Sequence, residues 1–441
     1  MKQSKHNIYY SPKEVRTILE RSIDTALDGL KCYCNDPVSD FTRCRKLPAR
    51  SLIECIMSFS NYSSIGELSH FFVGQGEMPS ASALSQRRQL LDPDIFKRIN
   101  NLFVSAFDDH TTINGYHILA QDGSDVNIPF MDDKTKTEKH DAKSFCQYHV
   151  NALYDCLNKV FYDWSIDAAS KKREVNALIS ILKDRNYPHN SIFTADRGYE
   201  SYNLMAHFIE NDIKFVIRVK DIHTKSGLMT NIKTEEGAFD IRVTRTLTSL
   251  QTKEIKADKE KYIFVPSTSN FDFLDETRDL YDLSFRAVRF KISEDTYETV
   301  VTNLSEEEFK TEDFKELYHY RWNEETAFNK LKYTIGLVYF HARKRKLIQQ
   351  EINAAFLMYN VSEVIIRNIY LKKNKKPELE YDYKPNFSSA VTNIRLYLRK
   401  KINMRELILR IKKFLVAQRP ERSYERNIKG QSCKPLNYRT S

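Results

Sequence analysis

The first 112 residues carry apolar side chains at the spacing of amphipathic helices. Val15, Ile18 and Leu19 fall on one face of such a helix, and a similar set recurs over residues 52–56. Positions three and four apart lie on the same side of a helix, where they can pack together on a core. We therefore predict a mostly helical region that extends to about residue 112.

Residues 79–99 predict two short helices joined by a turn. Ser80 and Asp92 are candidate N-caps, and Pro93 stands where a helix can begin. The first helix would carry Arg87 and Arg88, so the pair could form a unit that reads DNA. An ordinary helical hairpin is the more common explanation of such a pattern, and both interpretations stay open here.

From about residue 115 the pattern changes to runs of β-branched and aromatic residues separated by short polar links. The order β-β-β-α-β-α-β predicts an α/β domain with a mixed sheet. The predicted strands and helices are 116–122, 148–156, 160–167, 171–185 (helix), 191–196, 201–211 (helix) and 213–220.

The remainder of the chain divides into a strand-rich part and a helical part. Residues 222–303 contain short strand-like runs and no helical spacing, which predicts an all-β insertion. Helical spacing returns over 312–336, 345–371, 388–402 and 404–417. The lysine-rich run LKKNKKPELE within residues 371–380 is a predicted exposed linker, since Pro377 disfavours helix continuation.

Positive charge is concentrated near the C-terminus. The formal net charge is +10, but residues 341–441 contain 24 Lys and Arg against 8 Asp and Glu, so the rest of the chain is slightly acidic. Such a field favours a polyanion like DNA, because bound phosphates release their counterions. A merely solubilising basic surface is the alternative.

Several classes of protein do not fit the sequence. It contains neither GxxxxGK[ST] nor GxGxxG, which argues against a nucleotide-driven motor or a dinucleotide enzyme. No apolar run is long enough for a signal peptide at the start or for a membrane span elsewhere. We therefore expect a cytoplasmic protein that does not enter a membrane.

Residues 318–332, YHYRWNEETAFNKLK, provide the most informative pattern. On a regular helix Tyr318, Arg321, Glu325 and Lys332 occupy one narrow polar stripe. A carboxylate flanked by a phenol and two cations suits metal binding beside a phosphate backbone. The alternative is an exposed helix with an ordinary Arg321 to Glu325 pair.

Two further acids follow predicted apolar strands. Asp122 ends the strand HILAQ and precedes Gly123, and Asp196 ends SIFTA and precedes a turn. A carboxylate at the end of a strand can reach a ligand at the edge of the sheet. Each acid also has a structural explanation, since Asp122 could simply form a turn and Asp196 could be an N-cap.

Taken together, the three segments resemble the DDE transposases of bacterial insertion sequences, and in particular the insertion-sequence-four family. The spacing Y-x2-R-x3-E-x6-K is matched by Tyr318, Arg321, Glu325 and Lys332, while QDGSD and ADRGY resemble the segments around the family's first and second acids. The resemblance implies an RNase H-like catalytic domain with a β-rich insertion before the third acid.

The resemblance also implies the chemistry. Asp122, Asp196 and Glu325 would bind two Mg²⁺ or Mn²⁺ ions that cleave the ends of the element and join the 3′-OH ends to target DNA. The helix of the third acid contacts the transposon end in this family. Tyr318, Arg321 and Lys332 would therefore bind DNA.

The resemblance further implies partners and domains. Terminal inverted repeats and target DNA are the expected ligands, a homodimer is expected in the synaptic complex, and the protein would be associated with the nucleoid. The expected domains are a helical DNA-binding domain (1–112), an RNase H-like DDE catalytic domain (113–340) with its insertion (222–303), and a basic helical region (341–441).

One feature departs from the family pattern. Family members carry a tryptophan in the insertion that stacks on a flipped base, whereas this chain has only Trp164 and Trp322, both outside it. Phe271, Phe273 or Tyr281 would have to replace that tryptophan. Two alternatives to an active transposase remain open: a catalytically inactive or domesticated DNA-binding derivative, and another RNase H-like nuclease.

Overall fold

The structure is a computed structural model. It describes residues 1–4, 8–43, 45–74, 76–108, 110–139, 142–169, 174–222, 224, 226–266, 268–269, 271–294, 296–371 and 382–418. The predicted linker LKKNKKPELE lies almost entirely outside the described residues, as does the end of the basic region beyond residue 418.

The N-terminal region is helical, as predicted. It contains α1 (Pro12–Asp28), α2 (Ala49–Met57), α3 (Ser64–Phe72), α4 (Ala81–Leu90) and α5 (Asp94–Val104). Ser80 caps α4, since its hydroxyl accepts a hydrogen bond from the Ala83 N–H at 3.1 Å. The prediction that Asp92 caps α5 is wrong by one position, because Pro93 takes the N-cap place while the Asp92 carboxylate accepts from the Asp94 N–H.

Ten of the described strands form one mixed sheet. Its first strands are β3 (His117–Ile128), β4 (Lys136–Lys139), β5 (Ala142–Asp155) and β6 (Val160–Ala168). β5 runs antiparallel to β3, β4 and β6, so the three predicted strands are confirmed and β4 is an addition. A separate small sheet pairs β1 (Gln3–Ser4) with β2 (Thr112–Ile113).

Helices alternate with the parallel strands of the sheet. α6 (Glu174–Asp184) leads to β7 (Ser191–Ala195), and α7 (Tyr202–Glu210) leads to β8 (Lys214–Val219). β3, β7 and β8 are parallel neighbours. The predicted mixed α/β sheet is therefore confirmed, with strand order β6-β5-β3-β7-β8 across this part.

The segment 222–303 extends this sheet. Its strands β9 (Phe239–Thr248), β10 (Tyr262–Phe264), β11 (Leu280–Ser293) and β12 (Thr296–Thr302) continue the order as β10-β9-β11-β12-β8. It also contains the five-residue helix α8 (Lys253–Ala257), which Thr252 caps through the Ile255 N–H. The segment is thus rich in strands but not all-β.

The C-terminal part returns to helices: α9 (Asp313–His319), α10 (Trp322–Lys330), α11 (Arg345–Leu371), α12 (Phe387–Leu398) and α13 (Met404–Lys413). The predicted helix 404–417 ends early, since residues 415–418 form β14 (Leu415–Gln418) against β13 (Asp382–Pro385). In the part of the chain that is described, no helix combines the length and hydropathy needed to cross a membrane.

Helix α11 connects the N-terminal helices to the sheet. It packs against α5, α2, α1 and β6. The Trp164 ring of β6 stacks on Phe356 with centroids 4.4 Å apart, and its Nε1 donates to Asn353 Oδ1. Asn360 Oδ1 accepts from the Phe161 N–H in the same strand. The polar atoms of this buried contact are thereby satisfied where the two parts of the chain meet.

Arg88 belongs to the same contact and is not exposed. Its guanidinium donates to Glu351 Oε1 at 2.8 Å, to the Leu347 carbonyl at 2.7 Å and to Gln350 Oε1, all on α11. Arg88 is 2% exposed, so in this fold it joins α4 to α11 and cannot read a DNA groove. Its neighbour Arg87 has a different role, considered below.

We predict that Arg88→Met lowers the free energy of unfolding by about 3–5 kcal/mol, because it leaves the buried Glu351 carboxylate without its guanidinium partner. Urea denaturation followed by circular dichroism measures this change. The exposed Arg21→Ala is the control and should alter the midpoint little. A wild-type midpoint for Arg88→Met would show that the ion pair does not stabilise this contact.

Candidate active site

Asp122 lies within β3 and not at its end. The strand continues through Gly123 to Ile128, and Gly123 pairs with Asn151 of β5. The prediction that the strand ends at Asp122 is therefore wrong, and Asp122 does not form a turn. Its carboxylate nonetheless projects from the sheet, and Oδ1 accepts a hydrogen bond from the Gly123 N–H at 2.8 Å.

Gly123 is required by close packing instead of by a turn. A Cβ at this position would lie 2.3 Å from His149 Nε2. His149 is buried on β5, its Nδ1 is 2.7 Å from Asp125 Oδ1, and its Nε2 is 3.1 Å from Glu174 Oε1 at the start of α6. These polar contacts join β3, β5 and α6, so they stabilise the strand that carries Asp122.

Asp196 lies beside Asp122 because of the register of the sheet. Gln121 of β3 pairs with Ala195 of β7 in parallel, and each aspartate is the next residue in its chain. The Asp196 Oδ1 also accepts from the Gly198 N–H at 2.7 Å and so caps the 3₁₀ turn 197–199. The capping interpretation is thus confirmed, and it fixes the carboxylate next to Asp122.

Glu325 approaches the two aspartates from α10. Arg321, at the N-cap of α10, places Nη2 3.2 Å from Glu325 Oε1 and Nη1 3.6 Å from Asp122 Oδ2. Arg321 is only 5% exposed. Its buried guanidinium therefore bridges the strand acid and the helix acid, whose side chains are partly exposed.

The surroundings of Asp122 shift the pKa of its carboxyl group. Burial raises the pKa of Asp122 to about 6, the Gly123 N–H and Arg321 oppose this shift, and the carboxylates of Asp196 and Glu325 increase it. All three predicted acids therefore lie within electrostatic reach of one another. A carboxyl group whose pKa is raised by burial and by neighbouring acids is typical of functional sites.

Sequence analysis missed a fourth carboxyl group at the site. Glu324 is fully buried, and its pKa is raised well above the usual range by burial and then by Asp122. Periodicity favoured Glu325 over Glu324 for the polar stripe, but it did not show that Glu324 would point inward. The signal available was a charged residue at a position that the helix buries.

The predicted stripe is not carried by one regular helix. α9 ends at His319, α10 begins after Arg321, and residues 331–335 form a π-helix that includes Lys332. Tyr318 is 2% exposed, and the Arg321 guanidinium carbon lies 5.6 Å from the centre of its ring. Lys332 is partly buried further along. The structure thus places Tyr318 and Arg321 near the acids. Because the helix is interrupted, a regular helix with 100° per residue does not give their positions.

The aromatic residues of the insertion are packed among themselves. Ring centroids of Phe271, Phe273 and Tyr281 lie 5.4–5.8 Å apart, and the Tyr281 hydroxyl donates to Glu210 Oε1. In contrast, Trp322 is 46% exposed, and the Arg321 guanidinium carbon lies 5.5 Å from its ring. The exposed aromatic surface beside the acids therefore comes from α10.

Residues 113–361 match the sequence model of the family described as "Transposase DDE domain". The chain belongs to this family. The match spans the sheet, α10 and most of α11, and it contains Asp122, Asp196 and Glu325. A comparison with curated proteins gave no match.

Among solved structures, the DDE-family chain is similar to a chain of the "Cryo-EM structure of piggyBac transposase synaptic complex with hairpin DNA (SNHP)". Sequence identity is 12%, the alignment covers 96% of this chain and 90% of the other, and the TM-score is 0.43.

DDE transposase domains generally use divalent metal ions, and the donor set here suits them. Asp122, Asp196 and Glu325 supply carboxylate oxygens, which are the ligands that hard cations prefer. As arranged in the described residues, no three His, Cys, Asp or Glu side chains form a cluster that could hold a metal ion. The Arg321 guanidinium instead supplies positive charge between Asp122 and Glu325.

We predict that Asp122→Asn stabilises the metal-free DDE-family chain near neutral pH by up to about 3 kcal/mol. The folded pKa of about 6 exceeds the 3.8 that is usual for an aspartic acid, so ionisation of Asp122 destabilises the fold as pH rises between these values. The higher free energy of unfolding of Asp122→Asn relative to wild type should be present above about pH 6 and disappear below about pH 4.

Urea midpoints in a chelator at the two ends of this pH range test the prediction. The matched control on the same strand is Asp125→Asn, which should destabilise the protein because His149 loses a charged partner. Equal stability of Asp122→Asn and wild type above about pH 6 would contradict the raised pKa.

Proposed function

We propose that this chain is the DNA transposase of a bacterial insertion sequence, related to the insertion-sequence-four family. It would bind terminal inverted repeats, cleave the ends of the element and join the 3′-OH ends to target DNA. The observation that carries the proposal is the approach of Asp122, Asp196 and Glu325 to one another within a matched DDE domain.

The strand order supports an RNase H-like catalytic domain. An antiparallel run β6-β5-β3 followed by the parallel β7 and β8 is the arrangement that this interpretation expects, with β9–β12 as the β-rich insertion. We propose the boundaries 1–112, 113–340 and 341–441 for the N-terminal DNA-binding, catalytic and C-terminal regions, with the insertion at 222–303.

We propose that Asp122, Asp196 and Glu325 hold two Mg²⁺ or Mn²⁺ ions. Such ions activate an attacking water or 3′-OH and stabilise the leaving oxygen in an in-line phosphoryl displacement. The ionised carboxylates would bind and orient such ions, with β3, β7 and α10 as rigid supports. Arg321, which balances Asp122 and Glu325 in their absence, would then be available to a DNA phosphate.

The neighbouring residues would position DNA. We propose that Tyr318 orients Arg321 through its ring, that Lys332 contacts a backbone phosphate, and that Trp322 offers a stacking surface beside the cut. Synapsis of two ends would require a homodimer on DNA. A cytoplasmic, nucleoid-associated location follows from this function.

We predict that Asp122→Asn, Asp196→Asn and Glu325→Gln each abolish Mg²⁺-dependent cleavage of DNA that carries the element's own ends, because each removes an anionic ligand. Binding of the same DNA should remain close to that of wild type. Gel assays of cleavage and strand transfer, with fluorescence anisotropy for binding, provide both measurements.

Asp212→Asn is the control, since Asp212 is 94% exposed on the turn before β8. If one of the three variants cleaved DNA as fast as the wild type, the acid replaced in that variant would not be a catalytic residue. Cleavage without strand transfer or end preference would indicate another RNase H-like nuclease, and end binding without cleavage by the wild type would indicate an inactive derivative.

We predict that Lys332→Ala weakens complex formation with DNA and lowers the slope of log affinity against log salt by about one, as expected for one lost phosphate contact. Titrations at several salt concentrations measure the slope. Lys183→Ala removes an exposed lysine at the end of α6 and should leave it unchanged. An unchanged slope for Lys332→Ala would exclude its phosphate role.

A further inference from the structure

A second site candidate lies in the N-terminal region, away from the carboxylates. The segment before α2 and the outer side of α4 enclose a cavity of about 340 Å³. Its lining residues are Ser39, Asp40, Phe41, Thr42, Arg43, Arg45, Gln86, Arg87 and Leu90. The lining thus contains three arginines and one aspartate, and we call this cavity the arginine pocket.

Arg87 forms the base of the arginine pocket. It is 9% exposed, its guanidinium carbon lies 4.1 Å from the centre of the Phe41 ring, and its Nε donates to the Leu47 carbonyl at 3.1 Å. Within the described residues its Nη2 is buried without a hydrogen-bond partner. A buried guanidinium N–H that lacks an acceptor is costly, so a ligand oxygen there would satisfy it.

The rim of the arginine pocket adds two arginines, Arg43 and Arg45, that form no salt bridge with the described residues. Arg43 and Arg45 are exposed, and Arg45 is close enough to Arg87 to reinforce the effect of burial, which lowers the Arg87 pKa. The one lining carboxylate, Asp40, already accepts a hydrogen bond from the Asp36 N–H. An anion bound between the guanidinium groups would relieve this repulsion.

We propose that the arginine pocket binds one phosphate of the DNA backbone. This inference rests on the proposed function, in which the protein binds DNA. Guanidinium groups match phosphate oxygens with paired, charge-assisted hydrogen bonds, and Arg87 is held in place by Phe41 and Leu47 before the ligand arrives.

The surroundings favour a polymer over a small phosphate. Gln89 lies between the lining residues Gln86 and Leu90, and it accepts from Lys344 Nζ at its Oε1 and from Lys346 Nζ at its carbonyl. Arg345, which stands between these two lysines, is neutralised by Asp133 at 2.7 Å and donates to the Pro129 carbonyl just beyond β3. The ammonium groups of Lys344 and Lys346 therefore extend the positive charge beyond the arginine pocket, as an extended polyanion requires.

The test measures the salt dependence of binding to a fluorescein-labelled DNA duplex. Arg43→Ala/Arg45→Ala should weaken binding on the order of tenfold near 0.1 M salt and lower the salt slope by about one. Arg87→Lys keeps the buried charge but loses the planar fork, so it should weaken binding while the protein stays folded. The control Arg21→Ala removes one exposed arginine of α1.

Each outcome decides the proposal. Equal binding by Arg43→Ala/Arg45→Ala, Arg87→Lys and the Arg21→Ala control overturns it. A fall of about two in the slope of the double variant indicates two independent surface contacts and also overturns it. If the wild type binds no DNA, the proposed function fails together with this inference, whereas unchanged variants beside a DNA-binding wild type refute the arginine pocket alone.

A thermal-shift measurement distinguishes a DNA backbone phosphate from free inorganic phosphate as the ligand. Inorganic phosphate, compared with chloride at equal ionic strength, should stabilise the wild type and not the double variant Arg43→Ala/Arg45→Ala. This result together with reduced DNA binding supports a backbone phosphate. Stabilisation by phosphate with unchanged DNA affinity assigns the arginine pocket to a free phosphate and overturns the DNA assignment.

Discussion

Burial of carboxyl groups beside one another is the constraint on which the candidate active site depends. The paired strands β3 and β7 hold Asp122 and Asp196 side by side, and α10 adds Glu325 and the buried Glu324. One guanidinium, Arg321, offsets part of this charge. Because burial and the neighbouring carboxylates raise the pKa of Asp122, its ionisation destabilises the metal-free fold, and cations that bind the folded form would stabilise it.

Rigid neighbours hold the acids in place. The buried His149 ties β3 and β5 to Glu174 of α6 on one side, while α11 supports β6 through Trp164 and joins it to the N-terminal helices through Arg88. The C-terminal and N-terminal parts of the described chain therefore share one buried contact. The same contact places the basic residues at the start of α11 beside the arginine pocket.

The alternation of strands and helices, and with it the mixed sheet, could be predicted because apolar periodicity is a local property. The details that depend on packing could not. The strand was predicted to end at Asp122, but it continues through Gly123, whose missing side chain leaves space for His149. The helical spacing predicted one regular helix around Glu325. In the structure this helix is interrupted between α9 and α10, and it becomes π-helical after α10. Likewise, the sequence around Arg88 is compatible with an exposed arginine, but the structure buries this side chain.

The central claim is that Asp122, Asp196 and Glu325 form one site for divalent cations. Titration of the DNA-bound protein with Mn²⁺, followed by electron paramagnetic resonance, measures this directly without requiring turnover. We expect about two tightly bound ions per chain in the wild type and none in the variant Asp122→Asn/Asp196→Asn/Glu325→Gln. Equal Mn²⁺ binding by that variant and the wild type would contradict the claim.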